Sequence, residues 1–206
     1  MTKIKMCGLY REKDISFVND IKPEYIGFVF YKKSHRYVDF ETAKSLKKKL
    51  DESIKAVGVF VDEDISFIKE LIKENVIDIV QLHGHEDSAY ITELKSDPIA
   101  KDTPIIKAIQ VKNDNENLDE LYQKFDSSVD FYLIDSGMGS GSSFDWNLLK
   151  EPNKPFFLAG GLSPDNIALA LDAVNPYAVD VSSGIETAKV KDFDKMKLFA
   201  QAVRRK

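Results

Sequence analysis

The chain has 206 residues, enough to bury a sizeable core without disulfides or structural metals. Its composition is that of an ordinary soluble globular protein, and its formal charge of −5 comes from interspersed acids and bases, which argues against a nucleic-acid or anionic-membrane partner needing a basic face. The single cysteine, Cys7, excludes an intrachain disulfide and fits a reducing compartment; with no apolar leader and no apolar run near the ~20 residues of a membrane span, the expected location is the cytoplasm.

Eight short runs rich in Val, Ile and Phe follow one another along the chain. They are KIKMC at 3–7, YIGFVF at 25–30, IKAVGVFV at 54–61, DIVQL at 78–82, PIIKAI at 104–109, DFYLID at 130–135, PFFLAG at 155–160 and AVDVS at 178–182. Most are continuous rather than alternating, as expected of parallel strands covered on both faces. Amphipathic, charge-rich segments lie between them. The segment at 11–21 is weakly patterned. The one at 39–50 sets Phe40, Ala43, Leu46 and Leu50 at helical spacing, and the one at 63–76 does the same with Ile65, Ile68, Leu71 and Ile72. At 163–174, Ser163 is the expected N-cap and Pro164 the first helical residue, and 192–203 reads as a last helix. Strand and helix alternating at roughly 25 residues per unit make a parallel α/β protein. Eight units predict closure into a (β/α)8 barrel, with 1–206 as one catalytic domain. A doubly wound open sheet is the alternative that periodicity leaves open.

In a barrel of this kind chemistry sits at the C-terminal ends of the strands. Those ends carry Cys7-Gly8, the loop from Phe30 to Arg36, Gln81 and His83-Gly84, Asp135, Gly160-Gly161, and Asp180 with Ser182-Ser183-Gly184. The glycine turns after the last two runs fit a phosphate cradle, in which backbone N–H groups approach the oxygens closely. Tight turns alone would also explain either one. The segment GMGSGSSF at 137–144 matches neither a Walker A motif nor a dinucleotide fingerprint, and reads as a loop able to fold over a ligand.

Cys7 is either an inert core thiol or, facing the barrel mouth, a base, and the second role needs its pKa of ~8.5 to fall, with Arg36 and helix termini as the charges to lower it. Asp135 closes an apolar run, where partial desolvation favours a protonated general acid; a helix N-cap is the plainer alternative. Arg36 is either a surface charge or a bidentate clamp for a substrate carboxylate. His83 and His85 invite a metal reading, but their spacing with Cys7 is poor for zinc, so His83 is expected to hydrogen-bond in the pocket and His85 to face solvent.

Taken together, KIKMCGL, GFVFYKKSHRYV, VGVFVD, VQLHGHED, IKAIQV, LIDS with GSGSSFDW, FFLAGGLSPDNI and AVDVSSGIE, in this order, resemble the phosphoribosylanthranilate isomerase family of tryptophan biosynthesis. The resemblance runs from Lys3 to about Asp192. It implies a (β/α)8 barrel that carries out an Amadori rearrangement of an aminoaldose to a ketose, with no cofactor and no metal. By motif, it makes Cys7 the general base and Asp135 the general acid. It gives Arg36 the anthranilate carboxylate, and places Gln81, His83 and Asp180 in the substrate pocket. It assigns the phosphate to Gly139, Gly141, Gly160, Gly161, Ser182, Ser183 and Gly184. The implied partner is a phosphorylated small molecule, bound by a monomer or homodimer. Met138, Lys189 and Met6 depart from the family's usual residues, and none removes a proposed catalytic group. A histidine-pathway isomerase would carry an aspartate at position 7 and two similar halves. A non-catalytic phosphate-binding barrel would have lost Cys7 or Asp135.

Overall fold

Strands that are apolar on both faces leave water only by being covered on both sides, and here the sheet covers one side with itself. The computed structural model describes residues 1–111, 118–135, 146 and 149–206. Eight strands, β1 (Lys3–Cys7), β2 (Tyr25–Val29), β3 (Lys55–Phe60), β4 (Ile79–Leu82), β5 (Ile105–Gln110), β6 (Phe131–Asp135), β7 (Phe156–Ala159) and β8 (Ala178–Val181), form a closed barrel in chain order. Every neighbouring pair is parallel, and β1 closes the ring against β8 with Lys5 beside Asp180. The open-sheet alternative is thereby excluded.

Closure divides the core in two. Inside the barrel, Tyr25, Val57, Ile79, Ile106, Leu133, Phe157 and Ala178 interdigitate. Outside it, residues such as Ile4, Met6, Ile26, Phe28, Val80, Ile134 and Leu158 pack against the helices. The helices are α1 (Glu12–Ile21), α2 (Phe40–Lys47), α3 (Ile65–Lys73), α4 (Ser88–Ser96), α5 (Leu118–Phe125), α6 (Ile167–Ala173) and α7 (Phe193–Arg204). Aspartates begin four of them: Asp39, Asp64, Asp87 and Asp192 each accept from a backbone N–H of the first turn. Helix α1 is firmer than its pattern predicts, because buried Asp14 accepts from the Tyr10 and Arg11 N–H groups and from Arg11 Nε.

Three local features differ from the sequence expectation or were absent from it. The regular part of α6 starts at Ile167, with Asn166 in the capping position, while Ser163 caps the turn before it, accepting from Asp165 N with its Oγ at 3.3 Å and from Ile167 N with its backbone oxygen at 3.1 Å. Asn166 instead ties down the glycine turn, accepting from Ser163 N at 2.8 Å and donating to Gly161 O at 2.9 Å. After β8, a turn of 3₁₀ helix (Ser183–Ile185) leads into a small hairpin, β9 (Glu186–Thr187) with β10 (Val190–Lys191). Its two turn residues, Ala188 and Lys189, both have positive φ (51° and 65°), a backbone that glycine or asparagine adopts more readily. The sequence gives no hairpin signal there for that reason.

Beneath the mouth, Lys107 on β5 and Glu86 form a buried ion pair at 2.7 Å, and Glu86 also accepts from Asp62 N and Gly84 N at 2.9 Å each. One carboxylate thus fixes the loops after β3 and β4. Glu86→Ala would strand the Lys107 charge and two backbone donors, so we expect a loss of about 3–5 kcal/mol in urea unfolding. A loss under about 1 kcal/mol would mean that Lys107 reaches water without its partner.

Candidate active site

Because a strand's side chains alternate, the inward-facing set on each strand decides what reaches the mouth. Lys5 and Cys7 share one face of β1, as Leu133 and Asp135 share one face of β6. Continued past the strand ends, the same alternation pairs Gln81 with His83, and Asp180 with Ser182. Of these inward residues, Cys7, Gln81, His83, Asp135, Asp180 and Ser182 line a cleft of about 510 Å³ at the C-terminal end of the barrel, together with Val29, Arg36, Gln110, Ala159, Gly160, Gly161 and Ser183. A second cavity of about 540 Å³ opens at the opposite end around Lys3, Glu151, Pro176 and Tyr177, and Cys7 and Asp135 lie outside it.

Most of the site residues expected from the sequence therefore meet in one place. Gly139 and Gly141 lie outside the described residues. Gly184 stands behind the cleft rather than in its wall: a Cβ there would fall 1.9 Å from Leu162 O, so its bare backbone lets the loops after β7 and β8 touch. Gly160 and Gly161 have φ of 94° and 62°, conformations that favour glycine and turn the backbone sharply at the end of β7. His85 is 96 % exposed and pairs with Asp62, away from the cleft. Among the described residues no group of three His, Cys, Asp or Glu side chains is arranged to hold a metal ion.

Two further glycines shape the working groups. A Cβ on Gly27, the register partner of Cys7 on β2, would lie 2.6 Å from Cys7 Sγ and 3.2 Å from its Cα. A Cβ on Gly8 (φ 78°) would lie 2.2 Å from Arg36 Cδ. Both positions leave room for a neighbouring functional side chain.

Across the cleft, Asp135 is about a quarter exposed, and His83 Nε2 lies 3.7 Å from its Oδ2. Gln81 Nε2 sits 3.0 Å from His83 Nδ1; with the amide donating, the ring carries its proton on Nε2, facing Asp135. Gln81 is buried, and among the described residues its Oε1 has no hydrogen-bond partner.

Around Cys7 runs a chain of buried charges. Lys5 Nζ, with no exposed surface, lies 2.9 Å from Asp180 Oδ1. The two meet as charges without the alignment of a hydrogen bond. Lys191, from the hairpin, donates to Ser182 O at 3.0 Å and to Glu186 Oε1 at 2.7 Å. Ser182 Oγ in turn donates to Cys7 O at 3.0 Å. Burial opposes the charge on Lys5, but Asp180 and Cys7 outweigh it and raise its pKa. The same burial pushes the Cys7 thiol up, with Asp180 adding to the rise; Lys5 and Lys191 pull it down without prevailing. The expected fall in the thiol's pKa is thus reversed, and the charges opposing the rise belong to Lys5 and Lys191. Arg36 pairs with Glu186, both of whose oxygens it contacts.

Comparison with known proteins agrees with this geometry. The family model described as N-(5'phosphoribosyl)anthranilate (PRA) isomerase matches residues 4–202. The chain belongs to that family. An N-(5'-phosphoribosyl)anthranilate isomerase from Endomicrobium trichonymphae is 50 % identical over 201 residues, covering 95 % of each chain. The crystal structure of phosphoribosyl anthranilate isomerase from Thermotoga maritima superposes with a TM-score of 0.86 at 34 % identity, over the whole of both chains. A further solved structure of the family, in complex with reduced 1-(o-carboxyphenylamino)-1-deoxyribulose 5-phosphate, gives a TM-score of 0.82 at 32 % identity, again over the whole of both chains.

Family membership also sharpens what the sequence reading missed. Lys5, Gln110, Glu186 and Lys191 were not singled out. Lys5 was legible in principle, since two residues before an inward Cys7 is also inward. The other two charged groups reach the site through a hairpin whose turn residues hide it.

A raised thiol pKa has a direct readout. Alkylation of Cys7 by iodoacetamide should still be accelerating above about pH 8.5, the ordinary cysteine value, because only the thiolate reacts. A plateau below that pH would show that the two lysines outweigh burial.

Proposed function

We propose that this chain converts N-(5'-phosphoribosyl)anthranilate to its 1-deoxyribulose isomer in tryptophan biosynthesis, with Asp135 as general acid and Cys7 as general base. The reading rests on one observation above the others: a carboxyl group and a thiol on separate strands, β6 and β1, open into the same cleft as Arg36 and the glycine turn after β7.

Asp135 gives its proton to the ribose ring oxygen as the C1–O bond breaks, and the nitrogen lone pair forms the C1=N bond of a Schiff base. The Cys7 thiolate then removes the proton from C2. The C2–H electrons form C1=C2, and the C=N pair returns to nitrogen, giving an enolamine. Protonation at C1 and loss of the C2 hydroxyl proton complete the ketone. Proton transfers alone balance the reaction. His83, which faces Asp135, is placed to orient the acid. Lys5 and Lys191 supply positive charge beside Cys7, where the thiolate must form.

For the substrate's phosphate we propose the turns of Gly160-Gly161 and Ser182-Ser183, with Gly184 keeping them in contact and Gly139 and Gly141 completing the cradle as the family resemblance implies. Arg36 takes the anthranilate carboxylate, and Gln81 and Asp180 line the sugar and amine. The ligand class is a phosphorylated small molecule, and 1–206 acts as one catalytic domain.

The decisive test follows substrate fluorescence in wild type and Asp135→Asn. Turnover should fall by about 10³-fold or more in the variant while a phosphorylated product analogue still binds. Loss of binding in parallel with turnover would make Asp135 structural. Cys7→Ala should be equally inactive and Cys7→Ser should keep a trace, a hydroxyl being the weaker base; near-normal turnover in Cys7→Ala would remove the base assignment.

A further inference from the structure

Arg36 is engaged by a carboxylate of its own chain. Its Nε donates to Glu186 Oε1 at 2.7 Å and its Nη2 to Glu186 Oε2 at 2.8 Å, a two-pronged contact along one side of the guanidinium. The Glu186 side chain is 6 % exposed and does not line the cleft, whereas Arg36 does. The carboxylate therefore grips the arginine from behind. Glu186 is itself held: Lys191 Nζ donates to its Oε1 at 2.7 Å, and Lys195 Nζ donates to its backbone oxygen at 2.8 Å. Arg11 donates to Lys191 O at 3.2 Å, fastening the hairpin to the start of α1. His35 Nε2 stands 3.8 Å from Glu186 Oε2.

We propose that Glu186 is a positioning residue for Arg36: it binds the Nε/Nη2 side of the guanidinium from outside the cleft and leaves the Nη1/Nη2 edge to a planar ligand carboxylate. A guanidinium has two edges that each accept a carboxylate side by side. With one edge taken, the group is restrained from swinging about its stem, and Gly8, where a Cβ would lie 2.2 Å from Arg36 Cδ, leaves room for that stem. Although burial opposes its charge, Glu186 stays ionised, held to a pKa of about 2 by Arg36 and Lys191. Lys191 supplies the second positive charge, so that the buried carboxylate and two cations leave a net positive face toward the ligand. One preorganised arginine edge then selects one carboxylate coplanar with it, as on an aromatic ring.

The inference rests on the reading of Arg36 as the carboxylate clamp, and a mutant cycle separates the two. In Arg36→Ala the KM for phosphoribosylanthranilate should rise while kcat changes little; no rise removes the clamp itself. In Glu186→Gln the amide keeps its shape but can no longer accept from both arginine nitrogens. KM should then rise roughly tenfold with kcat within about threefold, and the kcat pH profile should keep its shape. Added to Arg36→Ala, the same substitution should raise KM no further. A rise in Arg36→Ala together with a wild-type KM in Glu186→Gln overturns the positioning role alone. So does a loss in kcat that persists in the Arg36→Ala background, which would mean that Glu186 supports the cleft through Lys191. Should Glu186→Gln fail to fold with Lys191 left unpaired, Glu186→Asp, which keeps a charge for Lys191 but is too short to span both arginine nitrogens, is read by the same criteria.

Discussion

Where the barrel closes, β1 meets β8 and two opposite charges meet with it. Lys5 and Asp180 are register partners across that seam, 2.9 Å apart, one with no exposed side chain and the other nearly so. An isolated buried ammonium group is costly enough that it would give up its proton or drag in water. Its presence inside the barrel is tolerable because the ring closes in this register and no other. A slip of one residue would turn Lys5 to the outer apolar layer and Cys7 with it. The seam thus fixes both the fold and which way the thiol points.

From that pair the charges continue in alternating sign along one wall: Asp180, Lys5, Cys7 when ionised, Lys191, Glu186, Arg36. Such a row is weak evidence for stability, since desolvation cancels much of the attraction. What it gives is placement. Each group has a neighbour of opposite charge to aim at, so the thiol and the guanidinium are held before any ligand arrives. The glycines serve the same end by subtraction: Gly27 leaves space for Sγ, Gly8 for the arginine stem, and Gly184 for contact between two loops.

The barrel was legible because eight apolar runs and their spacing leave few other ways to cover both faces of each strand. Cys7, Asp135 and Asp180 were legible as polar residues closing apolar runs, and Arg36 through motif. Lys5 stands inside a run that reads as ordinary strand, and only the two-residue alternation reveals it as inward. Glu186 and Lys191 belong to a hairpin built on Ala188-Lys189 in left-handed conformations, which no turn chemistry announces. The fall anticipated for the Cys7 pKa failed because the sequence shows which charges are near but not how completely water is excluded. The displaced start of α6 has a similar cause: Ser163 and Pro164 satisfy a local rule, while the side chain of Asn166 is needed by the glycine turn behind it.

The hydrogen bond from Ser182 Oγ to Cys7 O spans 175 positions of the chain. The thiol lies on the first strand of the ring, and the groups that hold it lie on and after the last. Until β8 and the hairpin have docked, the thiol has no wall of charge around it and Lys5 has no counterion. The surroundings of the thiol in this barrel are therefore complete only once the ring has closed. With Cys7 as the proposed base, a lesion that loosens the seam would disturb the proposed chemistry as well as the fold.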